Sequence, residues 1–248
     1  MSKLLVTAGW DDVPHLDKAT KERLLSAYPE HERAARTRGE PLLGSGKVFP
    51  VDEALIKWTP TPLVATWARI VGLDFGWDHP TAAAWLAWDR DTDTVYVYDA
   101  YRAREQTPVF HAATIKAKGK TIPVAWPHDG LQHDKGSGEQ LANIYRSHDV
   151  AMLKDKATFP DGSNGLEAGI TMMLERMQTG RLKVAEHLTE WWDEFRMYHR
   201  KDGLIVKERD DLLSATRYGL MMLRKAEVID RPRKATTKGY TPAVQGVM

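Results

Sequence analysis

The stretch that decides the fold is RIVGLDFGWDHPTAAAWL, residues 69–86. Its apolar run up to residue 75 predicts a buried strand, and TAAAWLAW (81–88) predicts a second strand beside it. Asp74 lies inside the first run, although a buried carboxylate is unfavourable unless something compensates its charge. The nature of that compensation decides which chemistry the sequence supports.

The segments that follow predict a mixed sheet. TVYVYDAYR alternates as a third strand after the turn DRDTD, so the first three strands form an antiparallel meander. IPVAWPHDG (122–130) and VAMLK (150–154) predict a fourth and a fifth strand. Two further short strands are expected at LKVAE and LIVK. Helices are expected at 108–119, 138–149 and 164–180, around Trp191 and Trp192, and from about 211 to 226. The fold class expected is α/β: a five-stranded mixed sheet, three antiparallel strands and then parallel additions, flanked by helices.

The chain divides into three parts by composition. Residues 1–65 are rich in proline and read as an irregular linker, residues 66–226 as the compact domain, and residues 227–248 as a basic, flexible tail. No cysteine is present, which excludes disulfides, thiolate zinc sites and cysteine nucleophiles. The net charge is +1, so any nucleic-acid contact must come from a local basic patch. No apolar run approaches the ~18 residues of a membrane span, so no membrane association is expected.

Carboxylates from three separate segments are expected to meet at one edge of the sheet. Asp74 lies on the first strand, and Asp129 ends the fourth strand, which this topology puts beside the first. Asp210 and Asp211 open the last helix. Crowded carboxylates repel one another, and a hard divalent cation removes that conflict. The sequence therefore predicts metal as the compensating partner of Asp74.

Two Mg²⁺ or Mn²⁺ ions in such a site could drive an in-line phosphoryl displacement. Asp74 is the expected bridging ligand because it comes from the central strand, with Asp129 on one ion and Asp211 on the other. These three acids are the predicted catalytic residues. Asp210 either assists as a further ligand or favours the helix N-terminus through the helix dipole.

The acid-bearing segments resemble a known family. GLDFGWDHPTAAAWL, VAWPHDGLQHDKGSGEQLANIYRSHDV and KERDDLLSATRYG are similar to the nuclease domain of the large terminase subunit of tailed bacteriophages. The resemblance implies an RNase H-like (RuvC-like) fold and metal-dependent cutting of double-stranded concatemeric viral DNA during genome packaging. It maps the family's metal-binding acids onto Asp74, Asp129 and the Asp210–Asp211 pair. Related enzymes often carry another acid three residues further on, where this chain has Ser214.

The same resemblance implies partners and a location. These are double-stranded DNA, the portal protein, the small terminase subunit and the ATPase domain of the same subunit, in the cytoplasm of the host bacterium. Residues 1–65 resemble the end of that ATPase region and its linker. No GxxxxGK[ST] motif occurs, and GSGKV at 44–48 lacks the first glycine and the hydroxyl residue, so no ATPase activity is expected. Candidate DNA contacts are Lys135, His128, Arg231, Arg233 and Lys234.

Two alternative functions stay open at this point. One is another RNase H-like nuclease, of the resolvase or transposase type, which would keep the fold and change the substrate. The other is a non-catalytic docking or DNA-binding module of the packaging motor, in which the acids have no catalytic use.

Overall fold

The computed structural model describes residues 9–10, 16–27, 37, 46–133, 138–201 and 203–229. Within them the α-helices are α1 (Lys18–Ala27), α2 (Glu53–Ile56), α3 (Pro108–Ala117), α4 (Leu141–Ser147), α5 (Leu166–Gln178), α6 (Thr189–Met197) and α7 (Asp211–Met221). The strands are β1 (Lys57–Trp58), β2 (Ala68–Asp74), β3 (Thr81–Asp89), β4 (Thr94–Ala103), β5 (Val124–Ala125), β6 (Leu182–Ala185), β7 (Arg200–Lys201), β8 (Leu204–Ile205) and β9 (Glu227–Val228). Short 3₁₀ helices cover His128–Leu131 and Leu223–Lys225.

The main sheet confirms the predicted fold class. Its strand order is β1-β6-β4-β3-β2-β5, and β9 pairs with the start of β2. The strands β2, β3 and β4 form the antiparallel meander, whereas β5 is parallel to β2 and β6 is parallel to β4. The five strands β2–β6 therefore make the expected mixed sheet, and the short strands β1 and β9 extend it.

One strand prediction was wrong, and another predicted strand forms but lies outside the main sheet. VAMLK, residues 150–154, forms only an isolated bridge between Val124 and Met152, and β6 is the strand that joins the sheet instead. The ladder at β5 cannot lengthen because Pro123 and Pro127 flank it and neither has an N–H to donate. LIVK does not enter the main sheet, because Leu204 and Ile205 pair with β7 in a separate hairpin.

Helices cover both faces of the sheet, as the alternation of apolar residues along β2 requires. Ile70 faces the core formed with α5, α6 and α7, whereas Val71 and Leu73 face the core formed with α3 and α4. Within the described residues, no helix has both the length and the apolar character needed to cross a bilayer.

Residues before the predicted domain boundary also contribute to the core. Phe49 and Ile56 are buried, and β1 adds to the outer edge of β6 in parallel. The division at residue 65 itself stays a prediction.

A close helix-on-sheet contact sets the height of α7 above β2. A Cβ built on Gly72 would stand 1.8 Å from the Ala215 carbonyl oxygen and 2.7 Å from the Gly219 amide nitrogen. Only a residue without a side chain lets the helix backbone approach the strand this closely. Because α7 carries Asp211 at its first turn, this contact also fixes the acid's position above the sheet.

Candidate metal centre

The four predicted acids line one cavity of about 370 Å³. Asp74 is the last residue of β2, and Asp129 lies in the 3₁₀ turn that follows the neighbouring parallel strand β5. Asp210 is the N-cap residue of α7, and Asp211 is its first helical residue. Strand ends and a helix start thus bring carboxylates from three segments to one place.

Asp74 carries the strongest electrostatic perturbation in this cavity. Its side chain is largely enclosed, and that burial is the main cause that raises the pKa of Asp74 to about 8; the carboxylates of Asp211, Asp210 and Asp129 push in the same direction. Among the described residues, none donates a hydrogen bond to this carboxylate or forms an ion pair with it within 4.0 Å. A divalent cation in the cavity would stabilise the ionised form of this carboxylate, which burial disfavours.

Arg217 is the positive charge that opposes this effect. It is 6% exposed, lines the same cavity, and lowers the pKa of Asp74 without overcoming burial. Its guanidinium lies 4.3 Å from the centre of the Tyr218 ring, and its aliphatic stem packs on Gly169, where a Cβ would approach within 2.6 Å of Arg217 Cδ. The arginine is therefore held by packing and does not close an ion pair with Asp74.

Asp211 is held from the opposite side by Arg102. The guanidinium donates from Nε at 3.1 Å and from Nη2 at 2.8 Å to Asp211 Oδ2. Arg102 on β4 is opposite Ala82 on β3, which is in turn opposite Asp74 on β2, so the three side chains share one face of the sheet. The small methyl of Ala82 leaves space between the acid and the arginine for the start of α7.

Glu194 satisfies the amide groups at the start of α7. Its Oε2 accepts hydrogen bonds from the Leu212 N–H at 2.7 Å and from the Leu213 N–H at 3.1 Å. Its Oε1 lies 3.3 Å from Arg102 Nε and makes no hydrogen bond. Burial is the main cause that raises the pKa of Glu194 to about 8, against the lowering effect of those amides and of Arg102.

The remaining predicted contacts are only partly within the described residues. Asp129 is exposed and accepts a hydrogen bond from Gln132 Nε2 at 3.2 Å. His128 lines the cavity, and Lys156 Nζ donates to its Nδ1 at 2.6 Å. The other candidate DNA contacts lie outside the described residues: Lys135, Arg231, Arg233 and Lys234.

Sequence reasoning missed Arg217, Arg102 and Glu194. Arg217 follows Asp210 by seven residues, a spacing that puts both on one face of a helix, so a signal for it was present. Arg102 and Glu194 meet the acid pair only through the packing of β4, α6 and α7, and no local spacing connects them.

The carboxylates line the cavity but do not converge into a complete set of metal ligands. Within the described part of the chain, no three acid or histidine side chains are gathered to metal-ligand distance. The donor set nevertheless fits Mg²⁺ or Mn²⁺: it consists of carboxylate oxygens around an open space, and Asp74 has no hydrogen-bond or ion-pair partner among the described residues.

A family model for the terminase RNaseH-like domain matches residues 71–223, which include all four acids. The chain belongs to the terminase RNase H-like family. The large terminase subunit of Salmonella phage P22 is 45% identical over 237 residues, which are 95% of this chain and 48% of that protein. The solved nuclease domain of the P22 large terminase aligns with a TM-score of 0.70 at 45% identity, over 75% of this chain and 97% of that domain.

The terminase resemblance stated from the sequence is thereby confirmed. The chain spans about half the length of the curated relatives it matches. A more distant fold relative is the nuclease domain of the large terminase of phage SPP1, solved with bound Mn. It aligns at 15% identity with a TM-score of 0.50, over 68% of this chain and 96% of that domain.

Proposed function

We propose that this chain is a divalent-metal-dependent endonuclease that cuts double-stranded concatemeric viral DNA during genome packaging, by two-metal hydrolysis of the phosphodiester bond. The observation that carries the proposal is the cavity of four acids from β2, the turn after β5 and the start of α7. The raised pKa of Asp74 and the Mn bound to the SPP1 nuclease domain support divalent metal as the occupant.

Each acid has a distinct role in metal binding in this proposal. Asp74, the last residue of β2, would be the ligand shared by two Mg²⁺ or Mn²⁺ ions, Asp129 would bind one of them, and the Asp210–Asp211 pair would bind the other. When bound, divalent ions supply Lewis acidity that activates water and stabilises charge on the leaving oxygen. Arg217 lies in the same cavity and is able to contact a phosphate oxygen.

A neighbouring cavity offers space for the substrate beside the acids. It measures about 650 Å³ and shares Phe75 and Asp129 with the metal cavity. Trp77, which is 56% exposed, adds aromatic surface to its lining, whereas Tyr145 lies in the core behind it. Nucleic acid lying across both cavities would contact aromatic rings on one side and the acids on the other.

The remaining proposals follow from the family. The DNA contacts proposed are His128, Lys135, Arg231, Arg233 and Lys234. The partners proposed are the ATPase domain of the same subunit, the small terminase subunit and the portal protein, in the cytoplasm of the host bacterium. We propose that the chain itself does not hydrolyse ATP, because it lacks the phosphate-binding motif.

Cleavage of supercoiled plasmid by the purified chain tests the function. We expect nicking and linearisation with Mn²⁺ or Mg²⁺, and none with excess chelator. Asp74→Ala should abolish cleavage, whereas Asp91→Ala, which removes an exposed carboxylate in the β3–β4 turn, should cleave like the wild type. Wild-type cleavage by the Asp74 variant would refute the assignment.

The two alternative functions are separated by further measurements. A preference for four-way junctions or RNA–DNA hybrids over duplex would favour another RNase H-like nuclease. Absence of Mn²⁺ binding by calorimetry, in a protein that still binds DNA, would favour the non-catalytic docking module.

A further inference from the structure

The first turn of α7 is capped from outside the helix. In an ordinary helix, the N-cap side chain accepts a hydrogen bond from the amide two or three positions later. Asp210 is a favoured N-cap residue type and occupies that position, but its side chain makes no capping hydrogen bond. Both amides it would ordinarily serve, those of Leu212 and Leu213, donate instead to Glu194 Oε2.

Because Glu194 caps the helix in place of Asp210, the Asp210 side chain is not needed for capping. Glu194 is 2% exposed and projects from α6, so its position is set by the packing of a different helix. Because it takes the cap donors, the Asp210 carboxylate is left to line the acid cavity. If Glu194 did not reach these amides, Asp210 would gain two hydrogen bonds by turning away from the cavity and toward its own helix.

The same glutamate is linked to the second acid of the pair. Arg102 lies between them, with Nε 3.3 Å from Glu194 Oε1 and with two hydrogen bonds to Asp211 Oδ2. The side chain of Arg102 is 15% exposed, that of Glu194 1% and that of Asp211 9%, so the arrangement is well shielded from solvent. An enclosed network of this kind restricts the orientation of its members more strongly than an exposed ion pair does.

We propose that Glu194 is a positioning residue for the metal centre: by capping α7 in place of Asp210, it keeps the Asp210 carboxylate facing the cavity, and through Arg102 it orients Asp211. This inference rests on the proposed function, since it assigns to the Asp210–Asp211 pair a part in metal binding. It goes further by making the affinity for metal depend on a residue that does not line the cavity.

Two substitutions separate the cap from the charge. Glu194→Gln keeps an oxygen that accepts from both amides and removes the charge. Glu194→Asp keeps the charge and shortens the side chain by one methylene, so the carboxylate no longer reaches the amides. We expect Mn²⁺ affinity of the full chain, measured by calorimetry, to fall about ten-fold or more in the aspartate variant and to stay close to the wild type in the glutamine variant.

A double-mutant cycle with Asp210 provides the decisive measurement. If Asp210 turns to cap the helix in the Glu194→Asp variant, then Asp210→Ala should weaken Mn²⁺ binding by a similar factor, and the double variant should be no weaker than either single one. Glu53→Ala is the matched control, because it removes a two-point ion pair with Arg196 away from the cavity and should leave affinity unchanged.

Each contrary result has a distinct meaning. Additive losses in the cycle, or a lower melting temperature of Glu194→Asp with unchanged Mn²⁺ affinity, would overturn the positioning role. A loss in the glutamine variant with wild-type affinity in the aspartate variant would assign the effect to charge and would also overturn it. Undiminished Mn²⁺ binding by Asp74→Ala would instead refute the metal centre, so failure of the inference and failure of the function are distinguishable.

Discussion

A methyl group added at Gly72 should disturb the site without touching any acid. The Cβ of Gly72→Ala would meet the Ala215 oxygen at 1.8 Å and the Gly219 nitrogen at 2.7 Å, distances below the 3.0 Å that real Cβ contacts respect. Both atoms belong to the backbone of α7, so no side chain is able to rotate out of the way. The helix must rise from β2 by about 1 Å or more to restore ordinary contact.

The size of the effect follows from that displacement. Overpacking of this kind typically costs about 1–3 kcal/mol of unfolding free energy. A shift of ~1 Å in a catalytic group is able to reduce the rate by ~100-fold. Because Asp210 and Asp211 move with α7 while Asp74 stays on β2, we expect Gly72→Ala to lose much more cleavage activity than its stability loss explains.

The assay combines urea unfolding of the metal-free protein, Mn²⁺ calorimetry and plasmid cleavage at a temperature where the variant is folded. Gly219→Ala is the matched comparison, because it adds a methyl to the same interface from the helix side. There the nearest atoms are the Leu86 methyls at 3.0 Å and 3.2 Å, which are able to move, and the Gly72 amide nitrogen at 3.3 Å, so the overlap is much smaller than at Gly72; alanine also favours the helix. Wild-type stability and cleavage by Gly72→Ala would refute the reasoning, and so would equal damage by Gly219→Ala.

Three further outcomes are expected. With metal removed by chelator, the free energy of unfolding of the wild type should fall as the pH rises from about 4 to 8. The pKa of Asp74 is about 8 in the folded protein and 3.8 in the unfolded chain, so in this range the folded protein holds a proton that the unfolded chain has lost. Asp74→Asn should reduce that loss, with the part due to Glu194 remaining, and should be more stable than the wild type at pH 8 by up to about 5 kcal/mol in urea unfolding; a less stable asparagine variant would contradict this. Arg217→Met should lower metal-free stability and raise Mn²⁺ affinity in calorimetry, because the resident positive charge is gone; weaker Mn²⁺ binding would count against it. DNA affinity, followed by fluorescence anisotropy, should fall steeply as salt rises, and a flat dependence would argue against binding through phosphates.

The sequence predicted most of the fold because its signals are local. The alternation in β4 and the apolar runs of β2 and β3 each specify a strand, and short turns between them leave an antiparallel meander as the simplest arrangement. The proximity of Asp129 to Asp74 also followed, because strand four was expected beside strand one. The failure at VAMLK has an equally local cause, since the two prolines around β5 limit how far a neighbour is able to pair.

The network behind the acids was not predictable in this way. Arg102 and Asp211 are 109 residues apart, and the Glu194 hydrogen bonds cross from one helix to another. A buried glutamate within an amphipathic helix reads as an exposed residue until the neighbouring helix is placed. Local sequence patterns do not show how α6, α7 and β4 pack against one another; that arrangement is seen only in the folded structure.

The attachment of β1 has a mechanical consequence. The chain that precedes the sheet joins it through two residue pairs, Lys57 with Val184 and Trp58 with Ala185, at the edge farthest from β5. A pull applied through that upstream segment would load first the backbone contacts of Lys47 and Val48 with the residues after α6, and then this outer ladder, which three strands separate from β2. Tension on the chain would therefore be able to detach the border of the domain while the acid cavity keeps its shape.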